Sequence, residues 1–153
     1  MWIQRLITLT SKPRGFHLVT REILTLLPEL SKIEVGLAHL FLQHTSASLA
    51  INENSDIDVC LDLENYFTRN VCDNEPYYQH TLEGEDDMPA HIKSIIIGCS
   101  LCIPIAKGKL ALGIWQGIYL CEHRNHGGNR SIIVTLNGES NSTSSSLSAF
   151  DRK

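Results

Sequence analysis

Three stretches of the chain concentrate side chains that can hold ions or move protons: 44–54 (HTSASLAINEN), 80–93 (HTLEGEDDMPAHIK) and 115–123 (WQGIYLCEH). In the second, the carboxylates Glu83, Glu85, Asp86 and Asp87 run straight into Pro89. Proline suits the first helical position, where its missing N–H is not needed, and Asp87 or Met88 is the expected cap. Carboxylate oxygens beside a helix N-terminus put a cation holder next to an anion holder. That pairing suits a phosphate escorted by a metal ion, although an acidic first turn that only complements the helix dipole has the same composition. In the first stretch, small hydroxyl residues alternate with apolar ones. Thr45, Leu49 and Ile51 therefore share one strand face, and Ser46, Ser48 and Asn52 the other. A polar face of this kind either meets solvent or lines a pocket. In the third, Trp115 and Gln116 point to opposite faces of a strand, so a Trp115 that packs inward leaves Gln116 facing out.

The elements that must position these residues alternate irregularly. Residues 2–10 read as a strand broken by Pro13-Arg14-Gly15, and apolar positions at Val19, Ile23, Leu26, Leu27 and Leu30 predict a helix over 19–30 that Pro28 ends or opens. A buried strand is expected over 33–44, then an amphipathic helix over 56–71 carrying Val59, Leu63, Tyr66 and Phe67 on one face. Residues 73–87 hold no regular pattern, and unstructured connections longer than roughly 12 to 15 residues are usually functional or disordered. The Pro89 helix closes at Gly98. Beyond it, 100–105 and 110–122 read as a hairpin around Lys107-Gly108-Lys109, with Gly113 and Gly117 marking a bulge or a close approach, and 130–136 as a last strand. Strands in hairpins with helices at separate points give an α+β class and one domain over 1–139. The Ser-rich residues 140–153 lack the apolar content to order themselves and read as a disordered tail.

Composition narrows the partners. With a formal net charge of −4 and no cluster of Lys or Arg, the chain has no field that would draw nucleic acid. No apolar run approaches the roughly 18 to 20 residues of a membrane span, and Gln4 and Arg5 interrupt the N-terminal apolar residues, so a soluble cytoplasmic chain without a membrane partner is expected. The odd count of five cysteines fits reduced thiols, and Cys99-x-x-Cys102 sits in a strand rather than a thioredoxin-like setting. Dinucleotide, phosphate-loop, nucleophile-elbow and H-E-x-x-H signatures are all absent.

His44 to Leu49, Ile51 to Asn54, Glu83 to Lys93 and Leu112 to Leu120, taken in that order, closely resemble the YjbQ family, also called the secondary thiamine-phosphate synthases. The resemblance covers about 2–139. It implies a compact α+β fold, a homotrimer, a site of histidines and acidic residues holding metal or anions, and a weak thiamine-phosphate synthase activity. Two positions depart from the family pattern: Ile57 in place of Pro, and Ile114 in place of Thr inside L-G-x-W-Q-G.

The resemblance turns His44, His80 and His91 from ordinary satisfied histidines into an expected metal or phosphate site, with Glu122 as acidic helper. His123 and His126 are expected at the surface, and His17 and His39 in structural roles. The synthase reaction joins a pyrimidine pyrophosphate to a thiazole phosphate and calls for a divalent ion, zinc or magnesium, against the departing pyrophosphate. Asp86 and Asp87, with Asp62, would serve the cation. Thr45, Ser46, Ser48, Asn52 and Lys93 would cradle the anion of a small phosphorylated metabolite. Gln116 is expected close to a site at a subunit boundary. The competing expectation is a metal- and phosphometabolite-binding protein whose synthase activity is incidental.

Overall fold

Alternation builds the first strand, β1 (Trp2–Leu9): Ile7 and Leu9 turn inward while Trp2 and Leu6 stay exposed. The computed structural model describes residues 1–141. After β1 come β2 (Gly15–Leu18), α1 (Thr20–Thr25), a 3-10 turn (Pro28–Lys32), β3 (Ile33–Leu42), β4 (Ala47–Glu53), α2 (Ile57–Asn70) and α3 (Asp87–Ile97). The chain finishes with β5 (Ser100–Ala106), β6 (Lys109–Leu110), β7 (Gln116–Glu122) and β8 (Arg130–Ser140). The strands form two antiparallel sheets, one ordered β1-β8-β3-β5-β6 and the other β2-β7-β4. The fold is α+β, as expected.

One apolar core fills the space between the sheets. Leu40, Leu42, Ile132 and Val134 of the large sheet meet Leu49, Ile118 and Leu120 of the small one, closed at one end by Ile23, Leu27 and Leu30. The opposite face of the small sheet carries a second cluster of Phe16, Cys60, Tyr119 and Cys121, against which Leu63 and Phe67 of α2 and Ile97 of α3 pack. Asp56 caps α2 by accepting from the Asp58 N–H at 2.9 Å. Gly98 ends α3 at φ 100°, a conformation that favours glycine. The Ser94 hydroxyl donates to the Ala47 carbonyl at 3.1 Å and ties α3 to β4.

Several expected boundaries move. The helix expected over 19–30 is only α1 plus the 3-10 turn, because Pro28 lacks the N–H that would continue the ladder. Gly15, read as part of a break, instead starts β2, paired with Glu122. The hairpin expected over 100–122 keeps just two paired positions, Ile105–Leu110 and Ala106–Lys109; the chain then turns, and β7 joins the other sheet between β2 and β4. Ser140, assigned to the tail, pairs with Ile33 at the end of β8. The rest of the expected tail, 142–153, lies outside the described residues. Among the described residues no helix is long and apolar enough to cross a membrane.

Candidate metal centre

Asp87 opens α3, and His91, four residues on, falls on the same helix face. The preceding loop folds His80 against that face, its ring centroid 5.3 Å from that of His91. His80 Nε2 lies 2.7 Å and His91 Nε2 3.2 Å from the same oxygen, Asp87 Oδ2. One ligand atom from each of the three residues lies within 4.8 Å of the others. Ligands sharing one ion at about 2.0–2.2 Å sit roughly 3 to 4 Å apart, so His80 Nε2 would have to draw back slightly from Asp87 Oδ2 to admit an ion. The His80 side chain is 45% exposed and Asp87 is 3% exposed, which leaves one side of the cluster open to solvent.

Hydrogen bonding around the cluster fixes which atoms are available. His91 Nδ1 lies 2.8 Å from the Thr45 carbonyl oxygen, which can only accept, so Nδ1 carries the proton. The lone pair of a neutral His91 then sits on Nε2 and faces a carboxylate oxygen. Two acceptors facing each other are favourable only when a cation, either a proton or a metal ion, occupies that edge. Arg124, just past β7, fixes the acidic pair: Nη1 donates to Asp87 Oδ1 at 2.6 Å, Nε to Asp86 Oδ2 at 2.9 Å, and Nη2 to the Glu83 carbonyl at 2.9 Å. Asp86 Oδ2 also accepts from the Asn125 N–H at 2.9 Å. Burial alone would raise the Asp87 carboxyl, but the His80 hydrogen bond and the charges of His91 and Arg124 outweigh it and hold it below the usual carboxylate range. Asp87 is therefore ionised and aimed by its second oxygen, the arrangement usual for a metal-ligating carboxylate.

Of the other expected site residues, Thr45, Asp86 and His44 lie near the cluster, and the rest lie apart from it or are bonded elsewhere. His44 shares a cavity of about 450 Å³ with Thr45 and His91, but its Nε2 accepts from the Ser131 N–H at 2.8 Å. Glu122 is fully buried and held by Arg130, at 2.7 Å from Nε and 2.5 Å from Nη2, so it is no helper of the histidines. The Ser46 hydroxyl accepts from Arg130 at 3.1 Å, and the Ser48 hydroxyl lies 2.9 Å from His123 Nε2; both are buried and already bonded. Lys93 points into the interior with no hydrogen-bond partner on Nζ among the described residues, its amine pushed down by burial and by Arg14. Asn52 and Gln116 sit at the end of the β4–β7 ladder opposite to Glu122, about 20 Å away along the strand. There the Gln116 side-chain Oε1 accepts from the Gly113 N–H at 2.8 Å and locks a turn, while Trp115 does not pack inward but is 61% exposed. Asp62 is exposed on α2. His123, expected at the surface, is buried edge-on to Phe16. Arg124 carries no local sign of its role, since nothing nearby in the sequence ties it to carboxylates 38 and 37 residues away.

The comparisons with known proteins agree with the fold. Residues 5–139 match the family described as UPF0047 protein YjbQ-like. A relative from Escherichia coli O157:H7, "UPF0047 protein YjbQ", is 56% identical over 139 residues, covering 91% of this chain and 100% of its own. A crystal structure of a YjbQ/UPF0047 family protein from Clostridium acetobutylicum superposes with a TM-score of 0.76 at 32% identity, over 87% of this chain and 99% of that one. A YbjQ-like protein of unknown function from Sulfolobus solfataricus P2 superposes with a TM-score of 0.79 at 21% identity, over 91% and 99%, and shares the fold. Matched along nearly all of its described length, the chain belongs to the UPF0047 YjbQ-like family.

Proposed function

We propose that this chain binds a divalent ion of the zinc class through His80, Asp87 and His91 and holds a small phosphorylated metabolite beside it. The observation that carries the reading is the His91 ring, turned by the Thr45 carbonyl so that its lone pair faces Asp87 Oδ2. Two imidazoles and one carboxylate favour zinc or a related transition metal over magnesium, which prefers an all-oxygen shell. A divalent ion held there supplies positive charge against phosphoryl oxygens and a departing pyrophosphate. Arg124 keeps Asp87 ionised and oriented, Thr45 keeps the Nε2 face of His91 bare, and the exposed side of His80 leaves an entry path.

The narrower form of this reading is the synthase reaction that the family resemblance implies, with a pyrimidine pyrophosphate and a thiazole phosphate as substrates. Its support is the motif match and the paired ion and anion chemistry. The alternative is a binding protein for another phosphometabolite, with synthase turnover as a by-product. Steady-state turnover of the zinc-loaded chain with both thiamine precursors, set against its affinity for a panel of phosphometabolites, separates the two. Turnover well above background, lost in Asp87→Asn, supports the synthase. A rate at background with tight binding of a different compound supports the alternative.

A further inference from the structure

We infer that His44, held by the β8 backbone as a hydrogen-bond donor, recognises an anionic oxygen of the ligand seated in the cavity it shares with His91. The inference rests on the metal reading above and gives His44 a task different from ligation. A backbone N–H can only donate, so the 2.8 Å bond from Ser131 N requires a lone pair on His44 Nε2. The ring proton therefore resides on Nδ1, and among the described residues no group accepts it. His44 and His91 thus carry the same tautomer but leave opposite atoms free. At His91 the backbone takes the N–H and leaves a lone pair for a cation. At His44 the backbone takes the lone pair and leaves an N–H for an anion. Burial, with the charge of Arg130 and against that of Glu122, lowers the pKa of His44 and favours the same neutral form.

Both pinning contacts come from the short connection between β3 and β4: His44 is fixed by its contact with Ser131, and the next residue, Thr45, fixes His91. The two rings are thereby set relative to each other by this one connection, which is itself pinned to β8. Ser94, also on the cavity wall, already donates to Ala47 and does not compete for the ligand. The remaining wall includes Ile95, Gly98 and Cys99, small or apolar, and its volume of about 450 Å³ is that of a small-molecule site. The ligand class that fits is a compact, largely apolar body carrying a phosphate or similar oxyanion at the His44–His91 end.

The test uses the full chain with zinc, and with inorganic phosphate as probe, by isothermal titration calorimetry. In His44→Gln the side-chain carbonyl reaches the Nε2 position and keeps an acceptor for Ser131, while the donor at Nδ1 is lost. In His44→Asn the amide sits near the Nδ1 position and keeps a donor. Zinc affinity is expected to stay unchanged in both. Phosphate affinity of the zinc-loaded chain is expected to fall about 10-fold or more in His44→Gln and to be largely retained in His44→Asn, the scale of one hydrogen bond to a charged group. Undiminished phosphate binding in His44→Gln overturns the inference, and a loss of zinc affinity there overturns it in favour of ligation by His44. Wild-type chain that takes up no zinc strikes the metal reading instead; a phosphate affinity of the zinc-free chain that still falls in His44→Gln keeps the inference, and no phosphate binding at all removes it.

Discussion

At the end of β7, Glu122 and His123 both lie in the interior, Glu122 in the fork of Arg130 and His123 against Ser48. Burial, reinforced by the positive charges of Lys93, Arg130 and Arg14, pushes the His123 pKa down to about 3. An unfolded histidine titrates near 6.5, so between those values the unfolded chain binds a proton that the folded chain refuses. The stability His123 contributes is therefore complete above about pH 6.5 and is lost as pH falls toward 3, by up to about 1.4 kcal/mol per unit. Urea unfolding of wild type and His123→Gln should show the penalty of the substitution shrinking by about 2 kcal/mol between pH 7.5 and 5. A penalty independent of pH would mean that His123 titrates normally. Lys93 makes a second residue-scale case, because an unpartnered buried amine costs free energy. Lys93→Met, close in length and apolar, should stabilise the fold by about 1 to 3 kcal/mol in the same assay; destabilisation would show that Nζ has a partner.

Among the elements, α3 and β7 do most to shape the site. α3 was legible because its signals are local: Pro89 in the first turn, Gly98 at the stop, and Asp87 with His91 one turn apart. The course of β7 was not, because residues 111–115 look as strand-like as their neighbours, and which sheet a strand joins is decided by contacts remote in sequence. Gly117 still carried the right message. A Cβ there would lie 2.6 Å from Leu18 Cδ2 and 3.0 Å from Asn54 Cβ, so β2 and the end of β4 close directly on its backbone. Gly117→Ala should cost about 1 to 3 kcal/mol by forcing these apart, measured as a lowered denaturation midpoint with unchanged slope; a neutral effect would show that Leu18 simply rotates away. His123 was also within reach of the sequence, since alternation from Tyr119 and Cys121 places it on their inward face. Two pairings had no local sign, Arg124 with Asp86 and Asp87, and His44 with Ser131, because each joins residues far apart in the sequence.

On the scale of the whole molecule, the large sheet presents an apolar face: Trp2 and Leu6 of β1 and Val35, Leu37 and Phe41 of β3, on either side of β8, are all at least 42% exposed. Such a face is what self-association covers, and the family resemblance makes a trimer the expected assembly. Light scattering should return a trimer mass at micromolar concentration, and Leu37→Lys should shift it toward monomer; a wild-type monomer would count against the assembly. Metal binding by His80, Asp87 and His91 is tested most directly by calorimetric titration of the metal-free full chain with zinc. A single ion per chain is expected, lost by more than about 100-fold in Asp87→Asn and weakened by about 10-fold in Arg124→Ala, where only the support of the carboxylate is removed. Zinc uptake as tight in Asp87→Asn as in wild type, or none in either, would contradict it.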